Sequence, residues 1–255
     1  MSVVELNRVI TLDAVHNFRD LGGYPTADGR TTRWRTLFRA DGLNRLTGAD
    51  LEIVRELGIR TVIDLRTDAE LAQRGRFPID DHPVWFHHLP IIDVTWDPHE
   101  ISDPDLPAAE FLLEKYLELL DMGEVRIGQA CHHLAMAGAL PAVFHCAAGK
   151  DRTGLLAALL LSSLGVPDEH VVADYALTAE AMVRMRAWFR VHHPDYFHRM
   201  ENETPSAFLQ AEPAAMAGLL ATLRERYGTP RDYVMGLGVP SVVLTELERA
   251  LLVID

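Results

Sequence analysis

The stretch Val143-Phe144-His145-Cys146-Ala147-Ala148-Gly149-Lys150-Asp151-Arg152-Thr153-Gly154 runs from an apolar β-favouring segment, through a short loop, into the apolar run Leu155 to Val166. It reads as a strand, a tight loop and a buried helix. Five loop residues separate a thiol from a guanidinium. A loop wound this way turns successive backbone N–H groups inward as a nest for a tetrahedral oxyanion, and the N-terminus of the following helix adds positive potential. The same field favours the thiolate of Cys146, a nucleophile able to attack phosphorus. Arg152 supplies the planar fork that two phosphoryl oxygens need, a geometry that lysine does not match. A carboxylic acid beside the nucleophile then serves to protonate the leaving oxygen and to activate water, and Asp151 is the first choice.

Outward from this stretch, apolar runs alternate with amphipathic helical runs. Arg60 to Leu65 reads as a buried strand, following a helix in which Leu51, Val54 and Leu57 recur at helical spacing behind Thr47 as N-cap. Val84 to Leu89 and Pro141 to His145 are further strands, the latter preceded by two helical patterns, Ala108 to Leu120 and Val125 to Ala137. Strands separated by helices predict a mainly parallel sheet. A glycine turn signal in Tyr24 to Thr32, followed by Trp34 to Phe38 as a strand, predicts a small hairpin capping the sheet edge. Beyond it, helices are expected over Thr153 to Leu164, Asp168 to Leu177, Ala179 to His192, Pro213 to Tyr227, Pro230 to Leu237 and Ser241 to Val253. Pro167, Pro230 and Pro240 stand near helix starts, where a missing amide proton costs nothing. His193 to Gln210 is the least regular stretch and reads as a mobile lid. The expectation is an α/β fold: a central, mostly parallel sheet of four or five strands, flanked by helices and extended by a C-terminal helical lid. It forms one domain over residues 1–255, with an N-terminal arm and hairpin over 1–60, a catalytic core over 61–165 and lid and C-terminal helices over 166–255.

Composition bounds the function. With 255 residues, 48% of them hydrophobic and 24% charged, the chain can bury a sizeable core and is neither disordered nor collagenous. A net charge of −13 argues against nucleic-acid binding or broad adsorption to anionic membranes, so positive charge for an anionic substrate must be local. Leu155 to Val166 falls far short of the roughly 20 residues that span a bilayer, and no integral membrane association is expected. The N-terminus carries Glu5 and Arg8 and lacks the unbroken apolar stretch of a secretory leader, which predicts a cytoplasmic chain. Two cysteines, Cys131 and Cys146, cannot make a disulfide framework.

HCAAGKDRTG over 145–154 fits the Cys-x5-Arg signature of the cysteine-dependent protein tyrosine and dual-specificity phosphatases. More narrowly, it resembles the bacterial branch with the HCxAGKDRTG loop, the secreted mycobacterial and listerial phosphatases that act on phosphotyrosine and phosphoinositides. Asn17 to Tyr24, Leu37 to Asp41, Val62 to Thr67 with Glu70, Val172 to Tyr175 and the tail from Tyr227 to Leu251 resemble that branch's blocks in order. The resemblance implies a phosphomonoester hydrolase working through a cysteinyl-phosphate, without metal or organic cofactor, on a phosphorylated protein or a phosphoinositide. It makes Cys146 the nucleophile and Arg152 the phosphate-binding arginine. Ala147, Ala148, Gly149 and Lys150 become the oxyanion cradle, with Thr153 and Gly154 at the helix start. Thr153 matches the hydroxyl that steadies the departing thiolate, and Asp151 replaces the acid that most relatives carry on a separate loop. Lys150, one of only two lysines in the chain, accompanies phosphoinositide activity in relatives. The resemblance also implies a helical lid after the catalytic helix and allows secretion without a conventional leader.

Other residues have two readings. Asp64 ends a strand at the sheet edge where parallel sheets place their sites, and serves either the loop or an ion pair with Arg66. Asp93, then Asp97, are the fallback acids if Asp151 fails. Either Arg19 and Asp20 form a buried ion pair locking the N-terminal arm against the loop, the reading preferred, or Arg19 touches the substrate. His145 is a hydrogen-bonding residue that fixes the loop rather than a base. The pairs His87/His88, His132/His133 and His192/His193 have no zinc spacing, because neighbouring side chains diverge. Cys131 belongs to a core helix face, and a regulatory disulfide with Cys146 depends on their Cα separation. Two competing functions remain: a phosphoinositide- or phosphopeptide-binding module with a degenerate site, against which the intact Cys146, Asp151 and Arg152 speak, and a sulfurtransferase, whose loop needs four residues after the cysteine where this chain has five.

Overall fold

The computed structural model describes residues 7–96, 106–204 and 206–254. In chain order the strands are β1 (Arg19–Asp20), β2 (Thr31–Thr32), β3 (Leu37–Ala40), β4 (Thr61–Asp64), β5 (Trp85–His88), β6 (Ala142–His145) and β7 (Leu252–Val253). Five of them form the central sheet in the order β1-β3-β6-β4-β5, parallel except for β1 against β3. β6 lies at its centre. Its side chains alternate, Ala142 and Phe144 entering the larger core cluster and Val143 the smaller one on the opposite face. Ala40 of β3 and Asp64 of β4 both pair in register with His145, so the chain after β6 emerges between two strand ends on the carboxyl edge of the sheet.

The first helices are α1 (Gly48–Glu56), α2 (Asp68–Arg74), α3 (Ala108–Ala135) and α4 (Asp151–Ser163). Thr47 caps α1 as expected, its hydroxyl accepting the Asp50 N–H while the Asp50 carboxylate accepts the Thr47 N–H. The two helical patterns expected between residues 108 and 137 are one helix of 28 residues. Gly123, which interrupts the pattern, is a packing site and not a break: a Cβ there would lie 2.6 Å from Ile91 Cγ2. α4 carries the apolar run that follows the loop and is buried on every side from Arg152 to Leu161.

The remaining helices are α5 (Asp168–Ala176), α6 (Thr178–His192), α7 (Pro194–Glu203), α8 (Ser206–Leu209), α9 (Pro213–Tyr227), α10 (Pro230–Gly236) and α11 (Ser241–Leu251). The stretch expected to be irregular is therefore mostly helical. Tyr196 and Phe197 of α7 pack on a cluster formed by Met182, Met185 and Phe189 of α6, so this face is held by apolar contact. Two N-terminal expectations also change. Arg35 adopts φ +55°, so residues 34–36 turn and the strand begins at Leu37. The turn before it does not cap the central sheet: β2 pairs antiparallel with β7, which ends α11 two residues earlier than its apolar pattern suggests. Among the described residues, no helix is long and apolar enough to cross a membrane.

The N-terminal arm is fastened by charge. Arg19 and Arg39 both pair with Asp174 of α5, at 3.0 and 2.6 Å, all three side chains being buried, and the Tyr24 hydroxyl donates to the same carboxylate at 2.9 Å. The expected Arg19–Asp20 pair does not form, because successive strand residues point to opposite faces. Asp20 instead accepts the N–H groups of Gly22 and Arg35. Burial opposes ionisation of Asp174, but Arg19 and Arg39 overcome it and hold the carboxyl below the usual carboxylate range. Its contribution is thus present above the unfolded carboxylate value of about 3.9 and is lost as pH falls through the lower folded value. Asp174→Ala strands two buried guanidiniums and should cost about 3–5 kcal/mol at neutral pH, read from the urea midpoint. A loss under about 1 kcal/mol would show that the pairing is not a structural tie.

Candidate active site

Cys146 follows β6 directly and is 2% exposed. The carbonyls after it are all taken by the scaffold: Ala147 O accepts the Gly42 N–H, Ala148 O accepts Asn17 Nδ2, and Gly149 O accepts both Asn17 Nδ2 and Arg39 Nη2, at 2.8–3.1 Å. In a trans peptide the N–H points away from its carbonyl, so the amides of Ala148, Gly149 and Lys150 face the opposite side. That is the arrangement of an anion nest. Gly149 makes the turn at φ +65°, and a Cβ there would lie 2.5 Å from the Ala40 carbonyl oxygen. Only glycine fits this close approach.

Arg152 lies in the first turn of α4, 8% exposed, and its two terminal nitrogens bind both oxygens of Glu70 at 2.5 and 3.0 Å. Glu70 is itself fixed, because its carboxylate accepts the Thr67 N–H in the capping box that starts α2. Burial would raise the Glu70 carboxyl, yet Arg152 holds it below the usual range. The guanidiniums of Arg152 and Arg39 both interact electrostatically with the Cys146 sulfur. Thr153 Oγ1 is buried and has no hydrogen-bond partner.

Lys150 is 1% exposed, with its ammonium donating to Phe208 O and Gln210 O at 2.7 Å each and lying 3.4 Å from Asp151 Oδ1. It ties the loop to the α8 region. Asp151 accepts the Tyr116 hydroxyl at 2.9 Å. Ala148 packs on the α6–α7 cluster, and Phe189 and Tyr196 of that cluster also line a cavity of about 680 Å³ with Asn44, Arg45, Arg74 and Arg199. Residues 44–45, α2 and the α6–α7 pair line this cavity, and the loop adjoins it through the contact of Ala148 with the α6–α7 cluster.

His145 donates from Nδ1 to the Cys146 carbonyl at 3.2 Å, and burial lowers its pKa. Asp64 makes a buried ion pair with Arg66 at 2.6 Å and lies 3.5 Å from His145 Nε2, so it supports the strand carrying the loop. Burial would raise its carboxyl, but His145 and Arg66 pull it down. Asp93 is exposed beyond β5, and Asp97 lies outside the described residues. Cys131 is a buried free thiol of α3, pushed up to about 12 by burial. His87 and His133 stack with centroids 3.7 Å apart, and no group of three metal-ligating side chains occurs among the described residues.

The sequence profile of the tyrosine phosphatase family matches residues 10–253. The chain belongs to that family. It is 26% identical to the triple specificity protein phosphatase PtpB of Mycobacterium tuberculosis over 94% of this chain and 98% of PtpB. A tyrosine-protein phosphatase of Nostoc commune is 27% identical over 82% of this chain and 72% of its own length. Among solved structures, TpbA of P. aeruginosa aligns with 71% of this chain and 96% of its own at 18% identity and a TM-score of 0.31.

The side chains around the loop to which motif reading gave no role are Asn17, Arg39, Glu70 and Tyr116. Glu70 carried a local signal, the Thr-x-x-Glu capping pattern, but nothing local connects it to an arginine 82 residues away. Glu70→Gln removes the charged half of the fork that aims Arg152. Affinity for vanadate or phosphate should fall at least about tenfold, equivalent to about 1.4 kcal/mol, by calorimetric titration. Unchanged affinity would show that Arg152 is aimed by something else.

Proposed function

We propose that this chain hydrolyses phosphate monoesters of tyrosine side chains through a cysteinyl-phosphate. One observation carries the reading: a buried Cys146 and a buried, doubly anchored Arg152 close the two ends of a loop whose carbonyls are all drawn outward. The nest and Arg152 bind the phosphoryl oxygens, and Cys146 Sγ attacks phosphorus as the ester P–O bond breaks. Asp151 delivers its proton to the leaving oxygen. Water then attacks phosphorus, giving a proton to Asp151 while the S–P bond breaks and the thiolate departs. Thr153 is suited to receive it, since its hydroxyl has no competing partner.

Phosphotyrosine is the substrate placed first. The cavity next to the α6–α7 cluster is walled by Phe189 and Tyr196, whose rings lie under the Arg45 and Arg74 guanidiniums at 5.3 and 5.7 Å, and with Arg199 it presents aromatic and cationic groups to a phosphorylated residue and its acidic surroundings. PtpB is named for triple specificity, which extends the reading to further phosphomonoesters. For a phosphoinositide headgroup to use Lys150, the ammonium must leave the Phe208 and Gln210 carbonyls it now holds.

Phosphate release by wild type, Cys146→Ser and Asp151→Asn on phosphotyrosine and phosphoserine peptides and on phosphatidylinositol 3-phosphate tests the mechanism. Cys146→Ser should lose turnover yet still bind phosphate, and Asp151→Asn should fall about 10²–10⁴-fold on the phosphotyrosine peptide. Residual Cys146→Ser activity within tenfold of wild type would overturn the nucleophile assignment.

A further inference from the structure

Tyr116 of α3 and Tyr175 of α5 meet inside the core, one fully buried and the other 1% exposed, with hydroxyl oxygens 2.5 Å apart. Both phenols stay protonated: burial, then Asp151, raises each far above its ordinary value. The direction of the chain follows from counting hydrogens. A carboxylate only accepts, so the Tyr116 hydrogen is spent on Asp151 Oδ1, and Tyr175 must donate to the Tyr116 oxygen. Lys150 approaches the same Oδ1 at 3.4 Å. Asp151 therefore has one oxygen engaged by a phenol and an ammonium, while its side chain remains 21% exposed.

We infer that Tyr116, backed by Tyr175, is a positioning residue for Asp151: it anchors Oδ1 and so reserves Oδ2 for the proton that passes to the leaving oxygen. A proton on Oδ1 would compete with the Tyr116 O–H for the same lone pairs, whereas a proton on Oδ2 leaves Oδ1 a full acceptor. Without the anchor the carboxyl can rotate about its terminal torsion, which has no strong preference of its own. The inference rests on Asp151 being the acid. The groups facing Asp151 are Lys150 on the loop, Arg152 on α4, Tyr116 on α3 and Tyr175 on α5, with Glu212 near Tyr175.

A merely structural tyrosine pair would affect all substrates alike, so the test is a series of aryl phosphates graded by leaving-group acidity, from p-nitrophenyl to phenyl phosphate. Tyr116→Phe should lower kcat on phenyl phosphate about tenfold and on p-nitrophenyl phosphate less than about twofold, with KM unchanged. In an Asp151→Asn background, Tyr116→Phe should have no further effect on the leaving-group slope. Tyr175→Phe should steepen the slope in the same direction by a smaller amount, and it carries the test if Tyr116→Phe does not fold. A uniform loss across the series, or an unchanged slope, overturns the inference. An unchanged slope in Asp151→Asn alone overturns the acid assignment along with it, while leaving Cys146 as nucleophile intact.

Discussion

One buried carboxylate, Asp174, joins the parts of the chain from which the loop is hung. It lies between Arg19 of the antiparallel edge strand and Arg39 of the strand beside β6, and it accepts the Tyr24 hydroxyl as well. Two guanidiniums share a single negative charge, so the cluster has a cation in excess. Burial and the neighbouring Arg19 lower Arg39 to about 10, and its other nitrogen reaches Gly149 O in the loop. The surplus charge is directed towards the site, where the Cys146 sulfur lies within its field.

This resolves the apparent conflict between a net charge of −13 and an anionic substrate. Positive potential is concentrated through buried groups: Arg39 behind the loop, Arg152 at its end, and the inward amides of a loop whose carbonyls are bound elsewhere. Water screens such groups far less than surface charges. Each cation is also held by a specific carboxylate, Asp174 for Arg39 and Glu70 for Arg152. Glu70 and Asp174, acidic residues close to the loop, thus serve as anchors for cations.

Adjacent residues of α5 divide two tasks. Asp174 holds the arginines of the N-terminal half, while Tyr175 reaches the Tyr116–Asp151 pair. α5 begins just after the helix that the loop initiates, so the segment that completes the site from behind is its near neighbour in sequence. Lys150 makes a comparable link forward, binding the carbonyls of Phe208 and Gln210 and so coupling the loop to the end of α8.

Local patterns made much of this legible. The apolar strand, the Cys-x5-Arg loop and the apolar helix are contiguous, and their physics is local: β-branched and aromatic residues, a glycine at positive φ, and a helix start. The parallel sheet followed from strands alternating with helices, and Thr47 as N-cap from its own spacing. Local patterns misled where packing outweighed them, as between Leu120 and Val125, where two helical patterns are one helix with Gly123 packed on Ile91, and at Arg19, whose sequence neighbour Asp20 points to the other face. Apart from the contact between the adjacent Lys150 and Asp151, the partners of Arg152, Arg39, Asp151 and Lys150 lie between 35 and 135 residues away along the chain. The sequence by itself determined which residues form the loop and what chemistry their types can perform. Only the tertiary structure decided which distant carboxylates and phenols hold them in place, because a charge removed from water must find its partner wherever the fold brings one within hydrogen-bonding reach.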